Sequence, residues 1–216
     1  MTDFLQPAAD CPLCPRLVEF RQNNQVKFPH FHNGPVSPFG PLNARLLIVG
    51  LAPGLKGANA TGRPFTGDYA GDLLYSTLKK FGFARGTYAK RPDDGLELID
   101  CRITNAVKCV PPENKPTGDE ANTCRPFLIS EFAAMKNLSA ILCLGQVAHQ
   151  AMARTFGQKL SALKFSHQAR HKMDNGITLF DSYHCSRYNT QTNRLTTEMF
   201  ENVFTDIRAH LDRHSA

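Results

Sequence analysis

Short apolar runs alternate with amphipathic helical patterns over most of the chain. Four segments place apolar side chains at the three- and four-residue spacing of a helix that buries one face, and they cover residues 71–83, 117–135, 146–156 and 196–210. Four short apolar runs have the length of buried β-strands, and they cover residues 45–50, 98–104, 140–145 and 176–183. Strands that alternate with helices predict an α/β fold with a parallel sheet covered on both faces.

The order of these elements also predicts where functional residues lie. In an open parallel sheet, ligands bind at the carboxyl ends of the strands. The segments that follow Val49, Thr104, Leu144 and Tyr183 are therefore the expected positions of a site.

Length and composition are those of one globular domain. The 216 residues include 42% hydrophobic and 20% charged residues, which is enough for one substantial core. We expect a single domain over residues 1–216, with residues 1–44 as an N-terminal arm. No apolar run approaches the ~20 residues of a membrane span. The first ten residues lack the basic and apolar regions of a signal peptide, so a cytoplasmic protein is expected.

The chain is basic, with a formal net charge of +6. A positive balance favours a polyanionic partner, because each neutralised phosphate releases counterions on binding. Many basic proteins bind no polyanion, so charge alone does not identify a nucleic-acid-binding protein.

Four of the seven cysteines form a candidate metal site. Cys11 and Cys14 make a C-x2-C pair, and Cys109 and Cys124 follow far along the chain. A disulfide framework is not expected from an odd number of cysteines without a secretory signal. A zinc ribbon needs a second C-x2-C pair, which is missing, whereas a 4Fe–4S cluster needs only four thiolates. Spacing alone leaves iron, zinc and unliganded thiols open.

A glycine-rich loop follows the first predicted strand. Residues 50–68 contain five glycines, which allow backbone amides to approach an anion or a flat base closely. The loop lacks the Gly-Lys-Ser/Thr ending of a Walker A motif, and Pro53 interrupts the turn of a dinucleotide fingerprint. Phe65 is either a stacking platform or a core aromatic, and Asp68 is either a catalytic carboxylate or a helix N-cap.

Polar residues also follow the second and fourth strands. Asn105 offers a hydrogen-bond donor and an acceptor together, which suits bidentate reading of a base edge, or it is a turn residue. In the loop 182–192, His184 is placed to donate to a developing oxyanion. Arg187 and Tyr188 are placed to enter a nucleic-acid groove or fill the gap left by an extruded base. Alternatively, each of these residues is an ordinary solvated loop residue without a functional role.

Taken together, these segments resemble the uracil-DNA glycosylase superfamily, and most closely its fifth, iron–sulfur family of broad specificity. The resemblance covers nearly the whole chain, from Cys11 to about Phe204. The motifs that carry it are Cys-Pro-Leu-Cys at 11–14, Gly-Leu-Ala-Pro-Gly at 50–54, Thr-Gly-Arg-Pro-Phe-Thr-Gly-Asp at 61–68, Cys-Val-Pro-Pro at 109–112, Cys-Arg-Pro at 124–126, Tyr-His-Cys-Ser at 183–186 and Asn-Thr-Gln-Thr at 189–192.

The resemblance implies a three-layer α/β/α fold with a central four-stranded parallel sheet and a 4Fe–4S cluster on Cys11, Cys14, Cys109 and Cys124. It also implies excision of uracil, and of hypoxanthine, xanthine or other damaged bases, from a flipped nucleotide in single- or double-stranded DNA. Three groups of residues follow from it. The catalytic residues are Asp68, Asn105 and His184, the base-binding residues are Gly50, Leu51, Ala52, Pro53, Gly54, Phe65 and Asn105, and the DNA-binding residues are Arg63, Ser186, Arg187, Tyr188 and Asn189.

No lysine is expected at these strand ends, so we expect a monofunctional glycosylase without lyase activity. We also expect the protein to be a monomer in a prokaryotic-type cytoplasm, acting near the nucleoid.

Two residues depart from the family pattern. Ala60 stands where an arginine is expected, and Cys185 stands where a proline usually follows the loop histidine. Two other classes stay open. A non-catalytic metal-containing nucleic-acid-binding module fits the cysteines and the charge, whereas an iron–sulfur electron carrier fits the four cysteines but rarely needs a basic surface.

Overall fold

Five strands form the central sheet of the computed structural model, which describes residues 4–213. The sheet has the order β4-β1-β5-β7-β6. The first four strands in this order are parallel, and β6 joins β7 antiparallel at the edge. A separate two-stranded sheet pairs β2 with β3. The strands are β1 (Leu46–Gly50), β2 (Ala84–Arg85), β3 (Glu97–Leu98), β4 (Cys101–Asn105), β5 (Ala140–Leu144), β6 (Arg170–Lys172) and β7 (Thr178–Ser182).

Helices cover both faces of this sheet. They are α1 (Pro15–Lys27), α2 (Ala58–Thr61), α3 (Tyr69–Lys80), α4 (Gly118–Ala134), α5 (Gln146–Thr155), α6 (Arg187–Gln191) and α7 (Thr197–Arg213), with one 3₁₀ turn at Pro112–Asn114. Within residues 4–213, no helix has the length and apolar character needed to cross a bilayer.

The α/β fold class predicted from the sequence is confirmed. Each of the four predicted runs overlaps one of the parallel strands, and each of the four helical patterns overlaps a helix of at least ten residues. The sheet has one strand more than predicted, because β6 reads Arg-His-Lys and carries no apolar pattern. The division into one domain with an arm stays a prediction, and its first and last three residues lie outside the described part.

The two faces of the central strands explain the three layers. Every residue of β1 is buried, and its side chains alternate between two apolar clusters. Leu46 and Ile48 pack with residues of α3 and α7, whereas Leu47 and Val49 pack with residues of α4 and α5. A strand buried on both faces reads as a continuous apolar run, which is why these strands are visible in the sequence.

A buried carboxylate joins the sheet to α4. Glu131 is fully buried, and its two oxygens accept from Arg102 Nε at 2.7 Å and from Thr104 Oγ1 at 2.8 Å. Lys108 Nζ lies 3.1 Å from the second oxygen. The carboxylate of Glu131 therefore forms ion pairs with two buried cations, one on β4 and one on the loop that follows it.

A second buried polar group fixes the edge of the sheet. Asp181 on β7 accepts from His149 Nδ1 at 2.9 Å and from His171 Nε2 at 3.3 Å. His149 Nε2 lies 2.8 Å from the Leu163 carbonyl oxygen, so both of its ring nitrogens face acceptors. Burial opposes the charge of His149, but Asp181 and this carbonyl outweigh burial and raise its pKa above the ordinary value. The cluster ties the loop 157–169 to β7.

Replacing Glu131 with Ala is expected to destabilise the fold by about 3–5 kcal/mol, because it leaves two buried cations without a counter-charge. Urea unfolding at pH 7 measures the change. The matched control is Glu201→Ala, which removes a carboxylate paired with an exposed lysine, Lys80, and is expected to cost about 1 kcal/mol or less. Equal losses in the two variants would contradict the role of Glu131.

Candidate functional site

The loops after β1, β4 and β7 converge on one cleft at the carboxyl edge of the sheet. Its volume is about 690 Å³. The residues that line it are Leu51, Ala52, Gly54, Leu55, Lys56, Gly57, Ala58, Phe65, Asp68, Tyr69, Ala70, Asn105, Asn114, His184, Ser186 and Arg187. The three predicted catalytic residues are therefore brought together, and they come from three different strand ends.

The missing side chain of Gly50 lets two of these groups meet. Gly50 pairs with Asn105 across β1 and β4. A Cβ on Gly50 would lie 2.4 Å from Asn105 Oδ1 and 2.7 Å from Phe65 Cζ. Both side chains therefore close over the bare backbone of this residue. Gly50 itself lies beneath the cleft and does not line it.

Phe65 is held in a strained backbone conformation. Its φ of +52° lies in the left-handed region, which costs a non-glycine residue of the order of 1 kcal/mol or more and is typical of functional sites. Tyr88 Oη donates to the Phe65 carbonyl at 3.2 Å, and Gly71 leaves room for that carbonyl, which a Cβ would approach to 1.9 Å. The ring stacks against His184 with centroids 5.9 Å apart.

Asp68 is the N-cap of a helix, and its catalytic role stays a prediction. It is the N-cap of α3, with Oδ1 accepting from the Gly71 amide at 3.3 Å. Its other oxygen packs against Gly54 and Gly57, where added Cβ atoms would lie 3.3 and 2.4 Å away. Burial raises the pKa of Asp68, and backbone amides at the start of the helix partly oppose that rise. One carboxylate oxygen thus caps the helix while the other faces the cleft loop.

Asn105 presents an unused carboxamide to the cleft. The residue is only 3% exposed, and its side chain forms no hydrogen bond to any residue that the structure describes. The backbone around it is fixed, because the Ala106 amide donates to the Gly50 carbonyl at 2.9 Å and the Val107 amide donates to the Leu51 carbonyl at 3.1 Å. The carboxamide lines the cleft and is available there to a ligand with a complementary donor and acceptor.

His184 is a neutral base at the opposite wall. Burial lowers its pKa to about 4, so the imidazole carries no charge near pH 7 and has one N–H to donate. Asn189 Nδ2 donates to the His184 carbonyl at 2.8 Å and holds the loop in place. Cys185, at the position where a proline is usual, is fully buried in the main apolar cluster.

The rim of the cleft carries exposed cationic and aromatic side chains. Arg187 lies over the Tyr69 ring, with its guanidinium carbon 5.3 Å from the centroid. Tyr188 follows on α6 and is 70% exposed. Ser186 caps this short helix by accepting from the Asn189 amide at 3.4 Å.

Pro53 and Arg63 are predicted site residues that do not line the cleft. Pro53 is buried and does not line the cleft. Arg63, predicted to bind DNA, is only 6% exposed. Its guanidinium forms a two-pronged ion pair with Asp94, with both distances 2.8 Å, and its Nε donates to Thr66. The prediction for Arg63 is wrong because these bonds turn the charge inward, where it braces the loop.

Lys56 and Tyr69 line the cleft but were not predicted from the sequence. Lys56 lies two residues after Gly54 and lines the cleft, so the expectation of no lysine near these strand ends is wrong. Tyr69 begins α3 beside Asp68 and stands at the rim. An aromatic residue at the junction of a glycine-rich loop and a helix was the available signal for Tyr69.

A separate cavity lies among the four cysteines. It measures about 20 Å³ and is lined by Cys11, Cys14, Cys109 and Cys124, together with the apolar residues Pro7, Leu13, Leu17, Val18, Val107 and Phe127. All seven cysteines of the chain are free thiols. The four therefore converge on one pocket, although they come from opposite ends of a chain segment of more than one hundred residues.

The four converging thiols are a donor set that thiolate-bound metals use, both iron–sulfur clusters and zinc. Burial raises the pKa of Cys14 to about 11 and that of Cys109 to about 12, so these two thiols stay protonated unless a metal cation binds them. The Lys108 amide donates to Cys124 Sγ at 3.4 Å.

Comparisons with known proteins agree with this geometry. The family model described as the uracil DNA glycosylase superfamily matches residues 37–208. A type-5 uracil-DNA glycosylase from Thermus thermophilus is 40% identical over 95% of each chain. A type-5 enzyme from Pyrobaculum aerophilum is 37% identical, with 93% of this chain and 89% of the relative covered. A type-4 uracil-DNA glycosylase from the same organism is 33% identical over 71% of this chain and 65% of the relative.

We expect the His184 imidazole to remain neutral through the physiological range. A proton NMR titration of the ring should give a midpoint near pH 4, because burial disfavours the imidazolium. The control is the His184→Gln variant, whose spectrum should lack this resonance and so assigns it. A His184 midpoint near that of an unperturbed imidazole, about 6.5, would contradict the prediction.

Proposed function

The chain belongs to the uracil DNA glycosylase superfamily, and we propose that it excises uracil from DNA by flipping the nucleotide into the cleft and cleaving its N-glycosidic bond. The observation that carries this proposal is the unpartnered Asn105 carboxamide beside the strained Phe65 ring. Neither alternative class, the binding module or the electron carrier, accounts for that pair of groups.

Recognition of the base follows from the cleft walls. Uracil is planar and presents a carbonyl and an N–H side by side on one edge. The Asn105 carboxamide offers a matching donor and acceptor, and the edge of the largely buried Phe65 ring that lines the cleft provides an aromatic contact for the base. Flipping costs a few kcal/mol and is cheapest for a mispaired base, such as uracil opposite guanine.

Bond cleavage requires stabilisation of charge on both fragments. Negative charge develops on the departing uracil, and the neutral His184 is placed to donate a hydrogen bond to it, a contribution of about 3 kcal/mol by comparison with a lost oxyanion donor. Positive charge develops on the sugar. The oxygen of Asp68 that faces the loop is placed to balance this charge and orient the attacking water.

The small residues on one side of the cleft support a broad substrate range. Ala52, Gly54, Gly57, Ala58 and Ala70 contribute little bulk. The cleft volume of about 690 Å³ leaves space for a two-ring purine as well as a pyrimidine. Hypoxanthine and xanthine, the deamination products of adenine and guanine, are therefore proposed as further substrates.

The rim supports a DNA contact made by the loop after β7. Tyr188 is exposed next to the cleft and is suited to fill the stack that the flipped base vacates. Arg187 and Ser186 line the cleft mouth, where phosphates of the same strand would pass, with Asn189 bracing the loop. Lys56 is exposed at the same mouth and supplies a further cation. Ala60 offers no charge, which shifts phosphate contact to these residues.

We propose that the enzyme is a cytoplasmic monomer with a 4Fe–4S cluster on Cys11, Cys14, Cys109 and Cys124. When bound, the cluster would tie the N-terminal arm to the start of α4. Its thiolates need a reducing compartment, which agrees with a cytoplasmic DNA substrate. Asn105 lies four residues before Cys109, so the cluster would hold the loop that presents the base-reading side chain.

Single-turnover cleavage of uracil-containing DNA tests the catalytic roles. Asp68→Ala and His184→Ala are each expected to lower the rate about 10²–10³-fold, because each removes charge stabilisation made in the transition state. Asn105→Ala should also reduce the rate. The control is Asp72→Ala, a carboxylate on the same helix that pairs with Lys90, which should retain the wild-type rate. Near-normal rates in both catalytic variants would refute the assignment.

The same assay tests monofunctional cleavage. The wild-type enzyme should leave an intact strand with an abasic site, and borohydride should trap no covalent complex. A complex that disappears in Lys56→Ala would show that Lys56 forms an imine with the sugar and would overturn the monofunctional proposal.

Iron analysis tests the cofactor. The purified protein is expected to be brown, with broad absorption near ~400 nm and four irons per chain. Cys109→Ser should lose colour and iron, whereas Cys143→Ser, which alters a buried thiol on β5, should keep both. A colourless protein with one zinc per chain would refute the cluster.

A further inference from the structure

Arg21 is a buried cation without an anionic partner. It lies on the inward face of α1 and is 5% exposed. Of the five N–H groups of its guanidinium, Nη2 donates to the Cys11 carbonyl at 3.2 Å, and Nη1 is buried with no hydrogen-bond partner among the described residues. A buried charge is costly unless it is paired and hydrogen-bonded. The position therefore calls for an anion that the protein does not itself supply.

The guanidinium lines the cysteine cavity, where such an anion would lie. Two cationic residues line this cavity, Arg21 and Lys108. Lys108 pairs with the carboxylate of Glu131, which also binds Arg102. Arg16, on the outer part of the same helix, is balanced by Glu120 at 2.7 Å. Arg21 is thus the cavity cation whose charge no carboxylate balances among the described residues.

We propose, on the basis of the cluster assigned above, that Arg21 is its counter-cation and donates a hydrogen bond from Nη1 to one of its sulfurs. A cluster held by four thiolates carries net negative charge, and reduction makes that charge larger. A cation in hydrogen-bond reach therefore stabilises the reduced form more than the oxidised form. Arg21 accordingly raises the reduction potential of the cluster. Its role is to position and tune the cluster, not to touch DNA.

Anaerobic spectroelectrochemistry of the iron-loaded protein measures this effect. Arg21→Gln keeps a donor but removes the charge, and Arg21→Met removes both. Both are expected to shift the midpoint potential to more negative values, with the larger shift in Arg21→Met. Arg21→Lys keeps the charge and should stay closer to the wild type. The control is Lys27→Met, which removes an exposed charge from the same helix and should leave the potential unchanged.

Resonance Raman spectroscopy of the Fe–S stretching bands reads the hydrogen bond directly. The wild-type bands should shift between H₂O and D₂O, and part of that shift should be absent in Arg21→Met. Arg21→Gln serves if Arg21→Met does not fold, because loss of charge alone must still lower the potential. Potentials in the Gln and Met variants equal to the Lys27→Met value, or identical deuterium shifts, would overturn the proposal.

The test of Arg21 can be distinguished from the tests of the proposed activity and of the proposed cofactor. Iron content and uracil excision by the wild-type protein test those, whereas the potential of variants that retain four irons tests Arg21. Wild-type protein without iron would overturn the cluster and the role of Arg21 together. A normal cluster with unchanged variant potentials would overturn the role of Arg21 alone.

Discussion

The absence of one side chain organises the cleft. Gly50 ends the central strand β1, and the Asn105 carboxamide and the Phe65 ring both occupy the space that its Cβ would fill. The two groups come from different loops, so neither loop alone defines their spacing. The parallel pairing of β1 with β4 brings one to the glycine, and the strained turn at Phe65 brings the other. The flat shape of the proposed base site therefore depends on the absence of a Cβ atom at Gly50.

Much of the fold could be predicted because its central strands are buried on both faces. Such strands appear in the sequence as continuous apolar runs, and α3 and α7 show their packed faces equally clearly. The edge strand β6 carries three basic residues and is held by pairing with β7, not by its own composition. The two-residue strands β2 and β3 are too short to leave any pattern. Tertiary contacts define these elements, so local patterns do not reveal them.

The site residues also differ in how far local sequence patterns could predict their positions. Asp68, Asn105 and His184 were predictable because the end of a parallel strand is where polar residues gather. Arg63 was misread because a basic residue in a polar loop gives no indication of whether its charge points outward, and Asp94, its partner, lies 31 residues away. Arg21 was not noticed for the converse reason. Arginine is ordinary in an amphipathic helix, and only the packed structure shows that it points inward without a counter-charge.

The basic composition of β6 has a consequence for association between molecules. An edge strand offers unpaired backbone groups to any other extended chain, and such edges are common starting points for aggregation. Here Arg170 pairs with Asp206 on α7 at 2.5 Å, His171 is bound to Asp181, and Lys172 is exposed. A second copy of the strand would bring like charges into register. The sheet therefore ends at β6, because its charges disfavour backbone pairing with a second copy of the strand.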